Sequence, residues 1–230
     1  VRLPMGVYDI IVFNRSFNDF SNIAFRGNSY ETLEAYARKV ETRVDKKTRV
    51  ETRTIISSPD ELAAATLEGF TVTEDMLGNY SQTTYGRTAP SRSSEETPDG
   101  LYHLHFVPKK LTREVSAVLH IEGLNNIRSA TCRLGGVAES IFLATGKTSA
   151  NTVTQEFTPS NPEFSPGSPF NGTLSCEFEI FGLNVIDNNN LHLDALLVDG
   201  KTEFEGDCTN VKITENDDGT GSVTLILEAS

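Results

Sequence analysis

Apolar and polar positions alternate along most of this chain with a period of two. That is the pattern of strands that bury one face and wet the other. Val7-Tyr8-Asp9-Ile10-Ile11-Val12-Phe13-Asn14 reads as a first strand, opened by Gly6 and closed by a polar turn. Ile23–Arg26 is a shorter second one. Over residues 30–56 the pattern divides: Leu33, Ala37 and Val40 fit a helical stripe, whereas Val44, Val50, Ile55 and Ile56 among many threonines favour strands. Ser58-Pro59-Asp60-Glu61 has the form of a helix start, with Ser58 as cap, Pro59 in the first turn and Glu61 completing a capping box. It predicts a short helix to Leu67, before Gly69. Asn79 to Gly100, rich in Ser, Thr, Gly, Pro and charge, reads as a long loop.

Leu101–Val107 resumes a strand that Pro108 ends, and Val115–Ile121 alternates again, with Val115, Ala117, Leu119 and Ile121 on one face. Strands then follow at Ser129–Leu134, Glu139–Ala144, Thr152–Thr158, Thr173–Phe181, Leu191–Val198, Thr202–Glu205, Val211–Glu215 and Ser222–Glu228. Between them lie turn signals: Gly135-Gly136, Thr145-Gly146, Asn171-Gly172, Asp187-Asn188-Asn189-Asn190, Asp199-Gly200 and Asp218-Gly219. Asn-Gly and Asp-Gly supply the positive φ angles that hairpins require. Regularly spaced strands without intervening helices mean a sandwich or barrel, not a parallel α/β sheet. The expected fold is therefore all-β: two β-sandwich domains in tandem, residues 1–110 and 111–230, meeting near Pro108–Thr112, with a short helix in the first.

Composition agrees with that division. A chain of 230 residues suits two domains of about 100–120 residues. A hydrophobic fraction of 37% suits thin sandwiches. The net charge of −12 argues against nucleic acid and against electrostatic docking on anionic lipid. It is uneven: residues 1–110 hold 14 basic and 15 acidic side chains, residues 111–230 only six basic and 17 acidic. The basic run from Arg38 to Arg53 can be read as a patch for an acidic partner, but a charged, solvated edge strand is the simpler reading. No apolar run approaches the ~20 residues of a membrane span. The chain opens at Val1-Arg2-Leu3-Pro4, which reads as mature sequence, so any leader or lipid-carrying cysteine is expected upstream.

Each candidate for chemistry lacks a required part. Gly146-Lys147-Thr148 imitates the end of a phosphate-binding loop, but Ile141 stands where the first glycine belongs. His103 and His105 share one face of a predicted strand and His120 can join them, yet no further ligand has metal-site spacing. Glu215-Asn216-Asp217-Asp218-Gly219 and Asp187–Asn190 are oxygen-rich but incomplete as calcium loops, and both sit where hairpins need such residues. Glu177 and Glu179 share a strand face without a pocket. Cys132, Cys176 and Cys208 form no C-x-x-C pair; they read as free buried thiols, with one disulfide between strands as the alternative. No catalytic, cofactor-binding or metal-ligating residue is expected, and the chain reads as a non-enzyme without a cofactor.

The run Leu104-His105-Phe106-Val107-Pro108, with Arg113-Glu114-Val115-Ser116-Ala117-Val118-Leu119-His120-Ile121-Glu122-Gly123-Leu124, resembles the fimbrillin-like accessory proteins of Bacteroidales, the FimB-type minor fimbrial subunit and anchor family. The resemblance continues through Ile127–Ala130, Leu134–Ser140, Phe181-Gly182, Leu191-His192-Leu193 and Leu197–Gly200, and Tyr8–Asn14 matches the family's first strand. It implies transthyretin-like sandwiches with Greek-key-type antiparallel sheets, export as a lipoprotein, and a place at the cell surface on the outer membrane, in or near fimbriae. It also implies fimbrial subunits as partners, with membrane attachment only through a lipidated cysteine upstream. Strand addition is the expected mechanism, and the last strand, Gly221–Glu228, is a candidate participant. The alternative is a surface module for a glycan or host protein, using Tyr80, Tyr85 and Tyr102 in or beside the long loop. The partner-binding residues themselves are not legible.

Overall fold

The computed structural model describes residues 3–44, 52–77, 103–184, 190–217 and 223–230. β-Branched and aromatic runs become strands throughout. The first half supplies β1 (Gly6–Phe13), β2 (Ile23–Arg26), β3 (Glu34–Ala37), β4 (Lys39–Val44), β5 (Thr52–Ile56), β6 (Ala63–Val72) and β7 (Lys109–Lys110). The second half supplies β8 (Arg113–Ile121), β9 (Ile127–Ala138), β10 (Ser140–Phe142), β11 (Thr152–Phe157), β12 (Asn161–Phe164), β13 (Gly172–Ile180), β14 (Leu191–Leu197), β15 (Glu203–Asp207), β16 (Lys212–Asp217) and β17 (Val223–Ala229). Among the described residues the one α-helix is a single turn, Glu74–Leu77, and no helix is long and apolar enough to cross a membrane.

Four sheets result, in the orders β1-β6-β7, β10-β3-β2, β15-β14-β9-β11-β5-β4 and β12-β13-β8-β17-β16. The two large sheets form the sandwich. Val115, Ala117 and Leu119 of β8, Leu174, Phe178 and Ile180 of β13, and Leu227 of β17 turn inward from one sheet. Cys132 and Leu134 of β9, Val153 and Phe157 of β11, and Leu191 and Leu193 of β14 meet them from the other, all in one buried cluster. Phe157 stacks on Phe178 with ring centroids 4.4 Å apart, a contact worth about 1 kcal/mol beyond the area it buries. The fold is all-β, as expected, but the sheets are mixed rather than purely antiparallel: β11 runs parallel to β5, and β17 parallel to β8.

The sheets do not divide where the sequence placed the boundary. β5 of the first half extends the six-stranded sheet beside β11, and β10 pairs with β3. Leu111 and Thr112, read as a connection, both donate backbone N–H groups to the carbonyl of Leu62, itself fully buried. A charged cluster closes the same seam. Arg26 of β2 donates two parallel bonds to the Glu34 carboxylate, at 2.7 and 2.9 Å, and reaches Glu139 at 3.3 Å. The Ser140 hydroxyl donates to Glu34 as well. The Arg26 bonds hold the Glu34 carboxyl below its ordinary range, against the upward push of burial. Nearby, Phe13, Phe17, Phe20 and Phe25 gather into an aromatic cluster with centroids 4.7–6.3 Å apart.

Three local expectations are corrected. The helix expected from Ser58 to Leu67 is absent. Ser58 spends its hydroxyl on the backbone of Glu179, accepting from its N–H at 2.9 Å and donating to its C=O at 3.2 Å. The Asn14 side chain brackets residues 61–63, donating to the Glu61 carbonyl and accepting from the Ala63 N–H. From there β6 pairs with β1, from Phe13↔Ala64 to Gly6↔Val72, so tertiary pairing overrides the local capping signal. Residues 103–107 are no strand either; they run exposed or half-buried into β7. Gly135-Gly136 is not a turn: β9 continues through it, with Gly136 at φ 79° opposite a register shift in β11, the mark of a β-bulge. The short strand β12, with Pro162 inside it, was not expected at all.

Candidate functional site

An edge strand offers unpaired backbone groups, so it is the natural contact site of a sandwich. Among the described residues β15 closes one end of the six-stranded sheet and β12 one end of the five-stranded sheet. The β14–β15 connection is the Asp199-Gly200 turn expected from sequence. The Asp199 carboxylate accepts the backbone N–H groups of Lys201 and Thr202 at 2.9 and 2.8 Å, and Gly200 takes φ 69°. The Thr202 hydroxyl and these amides hold the Asp199 carboxyl below its ordinary value. Phe204 on β15 is 55% exposed and Phe164 on β12 is 48% exposed. A pocket of about 120 Å³ opens between the sheets beside Phe204, lined also by Leu119, Ile121, Leu193 and Cys208. It is smaller than the about 300–1,000 Å³ of most small-molecule sites.

The outer face of the six-stranded sheet carries a line of charge that register alone creates. Glu156 of β11 stands opposite Arg133 of β9, Arg133 opposite His192 of β14, and His192 opposite Asp207 of β15. Arg133 bonds Glu156 at 3.0 Å and Asp194 at 2.6 Å. His192 places Nδ1 2.8 Å from Asp207, and Nε2 3.2 Å from Asp194 and 3.3 Å from Glu205. Among the described residues, His192, Asp194 and Glu205 are the one group of three His, Cys, Asp or Glu side chains close enough to hold a metal ion. Sequence reasoning missed this group. The signal available was the alternation His192, Asp194 facing Glu205, Asp207 across the Asp199-Gly200 turn, which becomes legible only once the register is known.

The residues singled out from sequence are placed as follows. His103, His105 and His120 are exposed and join no ligand group. Gly146-Lys147-Thr148 is a tight turn, with Gly146 at φ 66° and its N–H donated to the Phe142 carbonyl. Glu177 and Glu179 lie on one face of β13, but Glu179 is bound by Lys110 at 2.7 Å. Glu215 pairs with Arg113 at 2.9 Å, while Asp187–Asn189 and Asp218-Gly219 lie outside the described residues. So do the 79–100 segment and Tyr80, Tyr85 and Tyr102. β4, carrying the start of the basic run, is an edge strand of the six-stranded sheet, and residues 45–51 of that run lie outside the described residues. Cys132, Cys176 and Cys208 are free thiols. Burial pushes all three up, Cys176 to about 11, which makes them poor nucleophiles. The last strand, β17, lies inside its sheet between β8 and β16 with Leu227 fully buried.

A family model described as a domain of unknown function, DUF5119, matches residues 1–158, well over half of the chain. The chain belongs to that family. The matched segment ends just after β11, so the DUF5119 match itself spans the seam at residues 110/111. No curated protein matches. In fold the chain is similar to a putative adhesin from Bacteroides ovatus ATCC 8483, with 17% identity and a TM-score of 0.54 over 89% of this chain and 66% of that one. Putative adhesins from Bacteroides thetaiotaomicron VPI-5482 and Bacteroides ovatus match more remotely. Their identities are 13% and 9%, with TM-scores of 0.41 and 0.37, over 88% and 87% of this chain and 59% and 56% of those. The chain thus spans less than two thirds of each of these structures. The first likeness establishes a shared fold, and fold alone does not carry function.

Proposed function

We propose that this DUF5119 chain is a non-enzymatic cell-surface protein that works in adhesion by holding protein partners, as an accessory or anchor subunit of a fimbrial assembly. Attachment to the outer membrane would come from a lipid anchor upstream of Val1. The observation that carries the reading is an all-β sandwich, matched in fold by a putative adhesin, that leaves strand edges β15 and β12 unpaired among the described residues. Adhesive assemblies of sandwiches join by adding an extended segment of one subunit to such an edge. β17 is paired on both sides, so this reading takes as receiving edges β15 and β12, which carry the exposed Phe204 and Phe164, rather than the last strand.

The test is capture of partner subunits from surface assemblies of cells carrying this chain, comparing wild type with Phe204→Lys on β15 and Phe164→Lys on β12. A lysine on an edge blocks strand addition with little effect on the fold. At least a tenfold loss of capture is expected from one variant, with the melting temperature within about 3 °C of wild type. Full capture by both variants, or wild-type chain found only inside the cell, would overturn the reading.

A further inference from the structure

We propose that His192, Asp194 and Glu205 form a binding site for a single divalent transition-metal ion of the Zn²⁺ class on the outer face of the six-stranded sheet. The argument starts with Asp207. An ionised carboxylate only accepts, so its oxygen, 2.8 Å from His192 Nδ1, places the ring proton on Nδ1. Nε2 is then unprotonated and lies 3.2 Å from Asp194 Oδ1 and 3.3 Å from Glu205 Oε1. An unprotonated nitrogen beside two anionic oxygens is repulsive. A cation at the centre turns all three atoms into ligands.

The spacing fits that ion. Metal–ligand bonds of about 2.0–2.1 Å in a tetrahedron set neighbouring ligand atoms roughly 3.3 Å apart, and both distances from Nε2 match. The outer contacts are those of a metal site too. Asp207 orients the imidazole through its other nitrogen, and Arg133 fixes Asp194 by binding its second oxygen, Oδ2, at 2.6 Å. Charge points the same way. Glu156, Asp194, Glu205 and Asp207 surround one guanidinium and one imidazole, leaving an excess of three negative charges when the ring is neutral. A mixed nitrogen and carboxylate set favours Zn²⁺ over Ca²⁺ or Mg²⁺, which take oxygen ligands. The three ligands come from β14 and β15, so the ion would staple the edge strand to its neighbour. Its fourth position would stay open to solvent or to a partner's side chain. This inference does not depend on the fimbrial reading.

The test is calorimetric titration of the full chain with Zn²⁺ alone. One ion per chain is expected, with hydrogen exchange in β15 slowed on binding. His192→Ala and Asp194→Asn should each weaken binding at least tenfold, and Asp207→Asn, which removes only orientation, about tenfold. Cys208→Ser should stay within twofold of wild type. Absence of binding, binding within twofold of wild type in His192→Ala, or loss of the ion in Cys208→Ser but not in His192→Ala would each overturn the proposal. Because His192 and Glu205 lie on a solvent-facing surface, Glu205→Gln gives a second ligand variant that leaves the core untouched.

Discussion

The side chain of Glu34 is 10% exposed and takes two parallel bonds from Arg26, whereas the side chains of Glu205 and Asp207 stand 77% and 81% exposed beside a single imidazole. Both clusters are built by cross-strand register. The first sits where β2, β3 and β10 meet, and its ions serve the fold: two acids share one guanidinium, and Ser140 satisfies a remaining lone pair. The second sits on the open face of β9, β11, β14 and β15, with more acid than base. Buried charge must be matched closely because desolvation is costly, while exposed charge can remain unbalanced because water screens it. An excess that folding does not require is free to serve binding.

Breaking the buried cluster should have the largest effect. Glu34→Ala leaves the buried Ser140 hydroxyl without its acceptor and takes from Arg26 the nearer of its two carboxylates, and a loss of about 2–3 kcal/mol is expected by urea denaturation. Arg133→Ala, removing a largely buried guanidinium bonded to two acids, should cost about 1–2 kcal/mol, because its partners are partly exposed and recover water. Acid sharpens the contrast. Glu34 is held below its ordinary 4.5, so its contribution is fully present above that pH and is lost as pH falls through the depressed value. Glu34→Gln should therefore flatten the acid limb of a stability–pH curve below about pH 4.5. Least of all, His192→Ala in metal-free buffer should change stability by no more than about 0.5 kcal/mol. A larger loss there would mean that the open cluster also serves the fold.

Much of the strand pattern was legible because period-two alternation and Asp-Gly or Thr-Gly turns are local signals. β2 agrees with its expected limits to the residue, and β11, β13, β14 and β17 to within one residue at each end. What failed were local signals overruled from a distance. Ser58 has the chemistry of a helix cap, yet Glu179, 121 positions away, claims its hydroxyl. Leu101–Val107 alternates as a strand should, but residues 103–107 find no ladder partner among the described residues. Gly135-Gly136 resembles a turn, but β9 pairs with β11 on both sides of it, at Leu134 and again at Val137, so the pair forms a bulge within one strand.

The amino-acid sequence by itself determined an all-β chain with an acidic second half, because alternation, turn chemistry and charge are properties of neighbouring residues. Only the tertiary structure decided which strands share a sheet. It tied β5 to β11 and β3 to β10 across the expected boundary, placed β17 between β8 and β16, and brought His192, Asp194 and Glu205 together. Strand partners and register depend on contacts between residues far apart in the chain, and a one-residue slip would send each of these side chains to the opposite face.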